Sequence, residues 1–165
     1  MLVKLNFSYI LYVDMDGVIA EFEYNPISII SEKGYFGERR PMKNMIMALK
    51  MLISRNIEIH ILSAVLPNDY AKQEKLQWLQ YYLPEIKREK IHFITCGNSK
   101  KKIAGEGILI DDYTKNLQEW NGIAAIKCCN GINGTKGTWK GYQIDALDYP
   151  EKIVENIMSV LESIA

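Results

Sequence analysis

Two carboxylates one residue apart, Asp14 and Asp16, follow the apolar run Tyr9-Ile10-Leu11-Tyr12-Val13 and precede Gly17. Acids crowded in this way repel each other unless a shared proton or a cation intervenes. A hard divalent ion such as Mg²⁺, which takes oxygen ligands, is the simplest resolution. A second apolar run, Ile108-Leu109-Ile110, ends in Asp111-Asp112. Ligands of an open α/β sheet collect beyond the carboxyl ends of its strands, so Asp111 is placed to complete a metal site begun by Asp14. Because Mg²⁺ commonly takes one or two carboxylates plus water and phosphate oxygens, a further acid is left for proton transfer or for support. Ser63 directly follows the strand-like run 57–62, and its hydroxyl can donate to a phosphate oxygen. Lys100-Lys101-Lys102 lies shortly before the Asp111 run; one of the three can offset a phosphoryl charge while the others stay in solvent.

Strand-like and helix-like segments alternate around these residues. Residues 8–14 read as a first strand. Over 42–55, Met45, Ile46, Leu49, Leu52 and Ile53 recur at helical spacing. A second strand at 57–62 leads to a helix over 68–82, begun near Asn68 and stopped before Pro84, whose ring and missing donor do not fit a helix interior. Strands follow at 91–95 and 107–110, then a helix at 114–121, a strand at 123–127 and a closing helix at 150–164 with Pro150 in its first turn. Strands separated by helices imply an α/β fold, a Rossmann-like parallel sheet covered by helices on both faces.

One stretch breaks that rhythm. Residues 24–41, with Pro26, Gly34, Gly37 and Pro41, are too many for an ordinary connection. They are expected to form a small cap insertion holding a short helix at 27–32 and the Tyr35-Phe36 pair, rooted where a lid or substrate selector would sit, with a plain surface excursion as the alternative. The glycine-rich segment 130–141 reads as a turn or hairpin, although Lys136, Trp139 and Lys140 could also meet an anionic or flat ligand.

At 165 residues and 48% apolar, the chain suits one domain spanning 1–165. Lysine plus arginine and aspartate plus glutamate both number 20, so there is no strong nucleic-acid or anionic-membrane signal. Three cysteines, two of them adjacent, resemble neither a disulfide framework nor a zinc site, and a cytoplasmic location is expected. No apolar run reaches the ~18 residues of a membrane span.

Asp-x-Asp-Gly after the first strand, Ser after the second, a lysine, and Asp-Asp after a later strand together resemble the haloacid dehalogenase-like phosphatase superfamily. The string Asp14-Met15-Asp16-Gly17-Val18-Ile19-Ala20-Glu21-Phe22, with Leu109-Ile110-Asp111-Asp112, looks more narrowly like its 5'(3')-deoxyribonucleotidase branch. The resemblance implies a Mg²⁺-dependent phosphomonoesterase that acts on (deoxy)nucleoside monophosphates, small-molecule substrates, through an aspartyl-phosphate. Asp14 would be the nucleophile, and Asp16 the acid and base whose main-chain carbonyl also helps to hold Mg²⁺. Ser63 and Lys101 would bind the phosphoryl oxygens, Asp111 would be the third metal ligand with Asp112 supporting it, and Phe22 would lie near the base. Spacing back from Asp111 favours Lys101, and a slip of one residue would make it Lys100 or Lys102. The same chemistry on a sugar phosphate, a nucleic-acid 3'-phosphate or a phosphoprotein is the alternative, and a non-catalytic phosphate-binding or signalling module is a third. Branch members carry a larger helical cap, which leaves nucleotide selectivity open here. Tyr24, Tyr35 and Phe36 are divided between stacking on a base and packing within the lid.

Overall fold

A parallel strand covered on both faces has no side to give to polar residues, and the two central strands read accordingly. Strands β1 (Ile10–Val13) and β4 (Gly107–Asp111) run side by side and are buried from Leu11 to Val13 and throughout β4. They belong to a computed structural model that describes residues 9–133 and 138–165. With β2 (Glu58–Val65), β3 (Ile91–Thr95), β5 (Ala124–Cys129) and β6 (Tyr142–Asp145) they form a six-stranded sheet in the order β3-β2-β1-β4-β5-β6. Every pair is parallel.

The helices are α1 (Ile27–Ile30), α2 (Lys43–Ser54), α3 (Ala71–Tyr82), α4 (Thr114–Glu119) and α5 (Pro150–Ile164). Leu49 and Leu52 of α2, Trp78 and Leu79 of α3, and Ile153 and Ile157 of α5 join Val13, Ile61 and Ile110 in one core. Burying each such aliphatic chain stabilises the fold by about 1.5–3 kcal/mol. The opposite face carries a smaller cluster in which Leu117 and Trp120 cover Tyr12, Leu62 and Leu109. The covering is unequal because the crossover from β3 to β4 is only a 3₁₀ turn, Lys100–Ile103.

The expected α/β architecture is present, with differences at element ends. Strand β2 extends to Val65, so Ser63 lies inside the strand rather than after it. Helix α3 begins at Ala71, three residues after the expected start, and the Ala71 N–H donates to Asn68 Oδ1 at 2.8 Å across the turn that leads into it. The helix expected at 27–32 is a single turn with no buried residue. Strand β6 was not expected: of its four residues only Ile144 is buried, too little alternation to mark a strand. The turn reading of 130–141 falls partly on 134–137, including Lys136, which lie outside the described residues, as do 1–8. Among the described residues no helix is long and apolar enough to cross a membrane.

On the thinly covered face, two histidines meet. His60 Nδ1 lies 2.8 Å from His92 Nε2, and His60 Nε2 lies 3.0 Å from Glu58 Oε1, which Lys90 Nζ also pairs at 2.9 Å. The ring centroids are 5.1 Å apart and the planes only 20° from parallel. With nitrogens so close, the rings must lie edge to edge and share one proton, with Tyr12 packed edge-on against both. Burial first, then the charges of His60 and Arg88, holds the His92 imidazole below its usual value. A depressed histidine stabilises the fold fully above its unfolded value near 6.5, and that stability is lost as pH falls through the folded value. Urea midpoints measured at about pH 7.5 and 5.5 should therefore fall more on acidification for the parent than for His92→Gln. Equal losses would exclude His92 as the cause.

Candidate active site

The register of the central strands brings the acids together. Val13 pairs with Ile110, and the Asp14 N–H continues the ladder by donating to the Ile110 carbonyl at 2.9 Å, so the next side chains along, Asp14 and Asp111, emerge side by side at the carboxyl edge. Carboxylate oxygens of Asp14, Asp111 and Asp112 all lie within 4.8 Å of one another, and all three residues are buried. Gly17 is required here. Its φ is +77°, and a Cβ would stand 2.2 Å from Asp112 Oδ2, so any side chain would be strained and would displace the acid.

A buried cation offsets part of this charge. Lys100 Nζ lies 2.7 Å from Asp14 Oδ1 and 2.7 Å from Asp111 Oδ2. Burial alone would lower its affinity for a proton, but the charges of Asp111 and Asp14 outweigh that and hold the ammonium above its ordinary range. Asp111 is further fixed by the Tyr113 N–H at 2.8 Å and by Asn116 Nδ2 at 2.9 Å, both from the start of α4. Burial, then the charges of Asp14 and Asp111, pushes the Asp112 carboxyl up to about 7, against hydrogen bonds from Asn133 and Asn130. A second buried lysine, Lys127, donates to the Asp112 main-chain carbonyl and to Thr114 Oγ1 at 3.0 Å rather than to a carboxylate, so only Lys100 is paired with the three acids, and a divalent cation with oxygen ligands would relieve the remaining repulsion.

The second carboxylate of the first motif faces elsewhere. After β1 the chain turns back on itself, with the N–H groups of Val18, Ile19 and Ala20 all donating to the Met15 carbonyl. This turn directs the Asp16 side chain away from the acidic cluster and onto Lys75, with which it forms an ion pair. Lys75 is wholly buried; its Nζ also donates to Ser63 Oγ at 3.0 Å and to the Ala64 carbonyl at 2.8 Å. Each acid of the pair therefore has its own buried lysine, Lys100 for Asp14 and Lys75 for Asp16.

The insertion is closed at its root, where the Glu21 N–H donates to the Arg40 carbonyl and the Met42 N–H to the Ile19 carbonyl, both at 2.8 Å. Beside that root lies a cavity of about 710 Å³, walled in part by Phe22, Arg40, Lys43, Asn130, Ile132 and Leu147. Asn130 connects it to the acids, since its Nδ2 donates to the Gly17 carbonyl at 2.8 Å and to Asp112 Oδ2 at 3.0 Å. Tyr35 and Phe36 are buried against Ala71, with Leu66 and Ile30 around them, as lid packing requires. Tyr24 is exposed and bonds Asn133 Oδ1 through its hydroxyl.

Of the residues singled out in the sequence, Asp14, Asp111 and Asp112 gather at one point, Asp16 and Ser63 meet at Lys75, and Phe22 lies in the cavity wall. Lys101 does not join them: it and Lys102 are exposed, and Lys100 occupies the place spacing assigned to Lys101. The reason is the tight 3₁₀ turn, which fans successive side chains about 120° apart so that only one faces inward. Lys75 was missed, although a signal existed. Ala71, Lys75, Trp78 and Leu79 recur at helical spacing and are all buried, so Lys75 sits in the middle of an apolar stripe. Asn116, Asn130 and Asn133 had no comparable signal.

Residues 25–137, about two thirds of the chain, match the family described as "5' nucleotidase, deoxy (Pyrimidine), cytosolic type C protein". The match takes in Ser63, Lys75, Lys100 and Asp111-Asp112 and begins after Asp16. A protein of Vibrio phage KVP40 named "Putative 5'(3')-deoxyribonucleotidase" is 31% identical over 120 residues, 65% of this chain and 68% of the phage protein. Among solved structures, a D,D-heptose 1,7-bisphosphate phosphatase from Burkholderia thailandensis superimposes with a TM-score of 0.60 at 12% identity, over 92% of this chain and 99% of that one. The corresponding phosphatase from B. bronchiseptica, complexed with magnesium and phosphate, gives 0.64 at 13% identity over the same shares. At such identities the structural likeness is one of fold, and the family rests on the sequence matches. The chain belongs to the cytosolic type C 5'-deoxynucleotidase family of haloacid dehalogenase-like phosphatases, and is a phosphoric monoester hydrolase.

Proposed function

We propose that the protein is a Mg²⁺-dependent nucleotidase that hydrolyses (deoxy)nucleoside monophosphates through an aspartyl-phosphate on Asp14. The observation that carries this reading is the pairing of Asp14 with Asp111 at adjacent strand tips, bridged by Lys100. Asp14 Oδ1 is held by Lys100, which leaves Oδ2 as the attacking oxygen. An ammonium has three donors, and Lys100 spends two on Asp14 and Asp111, so its third is available to a phosphoryl oxygen. Asp16, directed away from the cluster, enters the first half-reaction as the carboxylic acid and gives its proton to the departing sugar oxygen, becoming the carboxylate that pairs with Lys75. In the second it takes a proton from the water that releases phosphate. Asp14, Asp111, Asp112 and the Asp16 main-chain carbonyl would hold Mg²⁺, which when bound supplies positive charge against the phosphoryl oxygens. Three buried carboxylates with one lysine among them suit such an ion.

The cavity beside Phe22 favours a nucleotide over a smaller ester. At about 710 Å³ it is within the ~300–1,000 Å³ of ordinary small-molecule sites, with an aromatic wall for a base and a lining in which Arg40 and Lys43 stand beside Glu21 and Glu23. Phosphate release should be measured across nucleoside monophosphates, sugar phosphates and a phosphopeptide, each with Mg²⁺ and with EDTA. Nucleotides should be turned over clearly fastest and only with the metal. Equal or faster turnover of sugar phosphates would overturn the substrate class, and activity persisting in EDTA would overturn the metal.

A further inference from the structure

We infer that the insertion sets the position of the acid–base Asp16, through Phe36 and Lys75, rather than serving only as a cover. The inference rests on the role proposed above for Asp16. One face of α3 and the residue before it carry the connection. Tyr70, Glu74 and Trp78 recur every four residues, as neighbours on a helix surface do, and each holds main chain of the insertion. The Tyr70 hydroxyl donates to the Ser31 carbonyl, and Trp78 Nε1 donates to the Arg39 carbonyl at 2.7 Å. The buried Glu74 carboxylate accepts from the N–H groups of Gly34, at 2.6 Å, and Phe36, at 3.3 Å. That clamp lays the Phe36 ring over the neighbouring Lys75, with Nζ 4.5 Å from the ring centroid.

Lys75 is suited to position other groups and unsuited to bind substrate. Its three donors go to Asp16, Ser63 and the Ala64 carbonyl, so none remains for a phosphoryl oxygen while those bonds hold. A desolvated ammonium against an aromatic face is attracted to it, and Lys75 is wholly buried with this ring beside its Nζ. Phe36 therefore keeps Nζ on Asp16, and Asp16 and Ser63 stay joined through that ammonium. The insertion, whose root residues Arg40 and Pro41 wall the cavity beside Phe22, is thereby tied to the group that protonates the leaving group.

Leaving-group chemistry tests this. A nucleoside monophosphate expels an alkoxide that needs the proton from Asp16, whereas p-nitrophenyl phosphate expels an anion stable at neutral pH. Phe36→Leu, which keeps apolar volume and removes the ring, should lower kcat about tenfold for the best nucleoside monophosphate, with KM within about twofold, and lower kcat for p-nitrophenyl phosphate no more than about twofold. Phe36→Tyr, which keeps the ring, should restore nucleotide turnover. Where Phe36→Leu does not fold by circular dichroism, Glu74→Gln, which loosens the Gly34–Phe36 turn with the ring in place, carries the same comparison. Equal losses on the two esters, or no loss on either, would overturn the inference while leaving the nucleotidase reading intact. A parent protein that hydrolyses neither ester would remove both.

Discussion

Replacing Asp14 by asparagine should abolish phosphate release, by about 10⁴-fold or more in kcat, while the fold survives. The amide keeps the shape of the side chain and can still meet Lys100, but it cannot form the acyl phosphate through which turnover passes in the proposed mechanism. The structural cost should be small and its sign can be argued. Asp14 stands within a buried cluster with Asp111 and Asp112, and its charge is second only to burial in pushing Asp112 upward. Neutralising it relieves that repulsion, while Lys100 retains Asp111 as a partner. Metal-free Asp14→Asn should therefore melt at or above the parent's midpoint. Single-turnover assays with acid-quenched protein complete the test: labelled phosphate should be trapped covalently on the parent and absent from the variant. Residual activity near the parent's would remove Asp14 as nucleophile.

The second large effect is expected at Lys100, and its contrast with Lys101 is the informative part. Lys100→Met keeps the buried stem and removes the ammonium that lies 2.7 Å from both Asp14 and Asp111. Breaking a buried pair in this way leaves uncompensated charge and costs about 3–5 kcal/mol. Turnover should fall by about a hundredfold or more as the phosphoryl group loses its fixed cation. Because a bound ion replaces part of the missing charge, Mg²⁺ should raise the melting midpoint of Lys100→Met by more than that of the parent. Lys101→Ala, at an exposed position of the same turn, should stay within about 0.5 kcal/mol of the parent and retain its turnover. Thermal melts with and without Mg²⁺, run beside phosphate-release assays on both variants, decide the matter. Losses at Lys101 matching those at Lys100 would mean that the turn is not set as described.

Much of the architecture was legible because its signals are local. Continuous apolar runs ending in acids mark strands covered on both faces, and Asp-x-Asp-Gly marks the acidic tip that follows the first of them. Helical spacing over 42–55 and the Pro150 start over 150–164 specified α2 and α5 nearly to the residue. Strand β6 escaped because four residues at a sheet edge bury one side chain and leave no period to read. The 27–32 helix shrank to one turn because it has no face against the core; its apolar residues lie in the insertion and are partly exposed.

The acids and the serine could be picked out as candidates from the sequence, since each lies in a strand or within three residues of its end, and the strand's direction is set by its own apolar pattern. The lysines could not, and the reason is geometric. A lysine is long, and in isolation its best environment is water; whether it turns inward depends on charge delivered from elsewhere in the chain. Lys100 is drawn in by Asp14 and Asp111, and in a 3₁₀ turn the choice among three consecutive lysines depends on a phase of about 120° per residue that no local pattern records. Lys75 is drawn in by Asp16, 59 positions earlier, and by Phe36 of the insertion. The order and chemistry of the acidic tips are thus written along the chain, whereas the cations that offset them, and the link from the insertion to Asp16, exist only once parallel pairing has brought distant segments to one edge of the sheet.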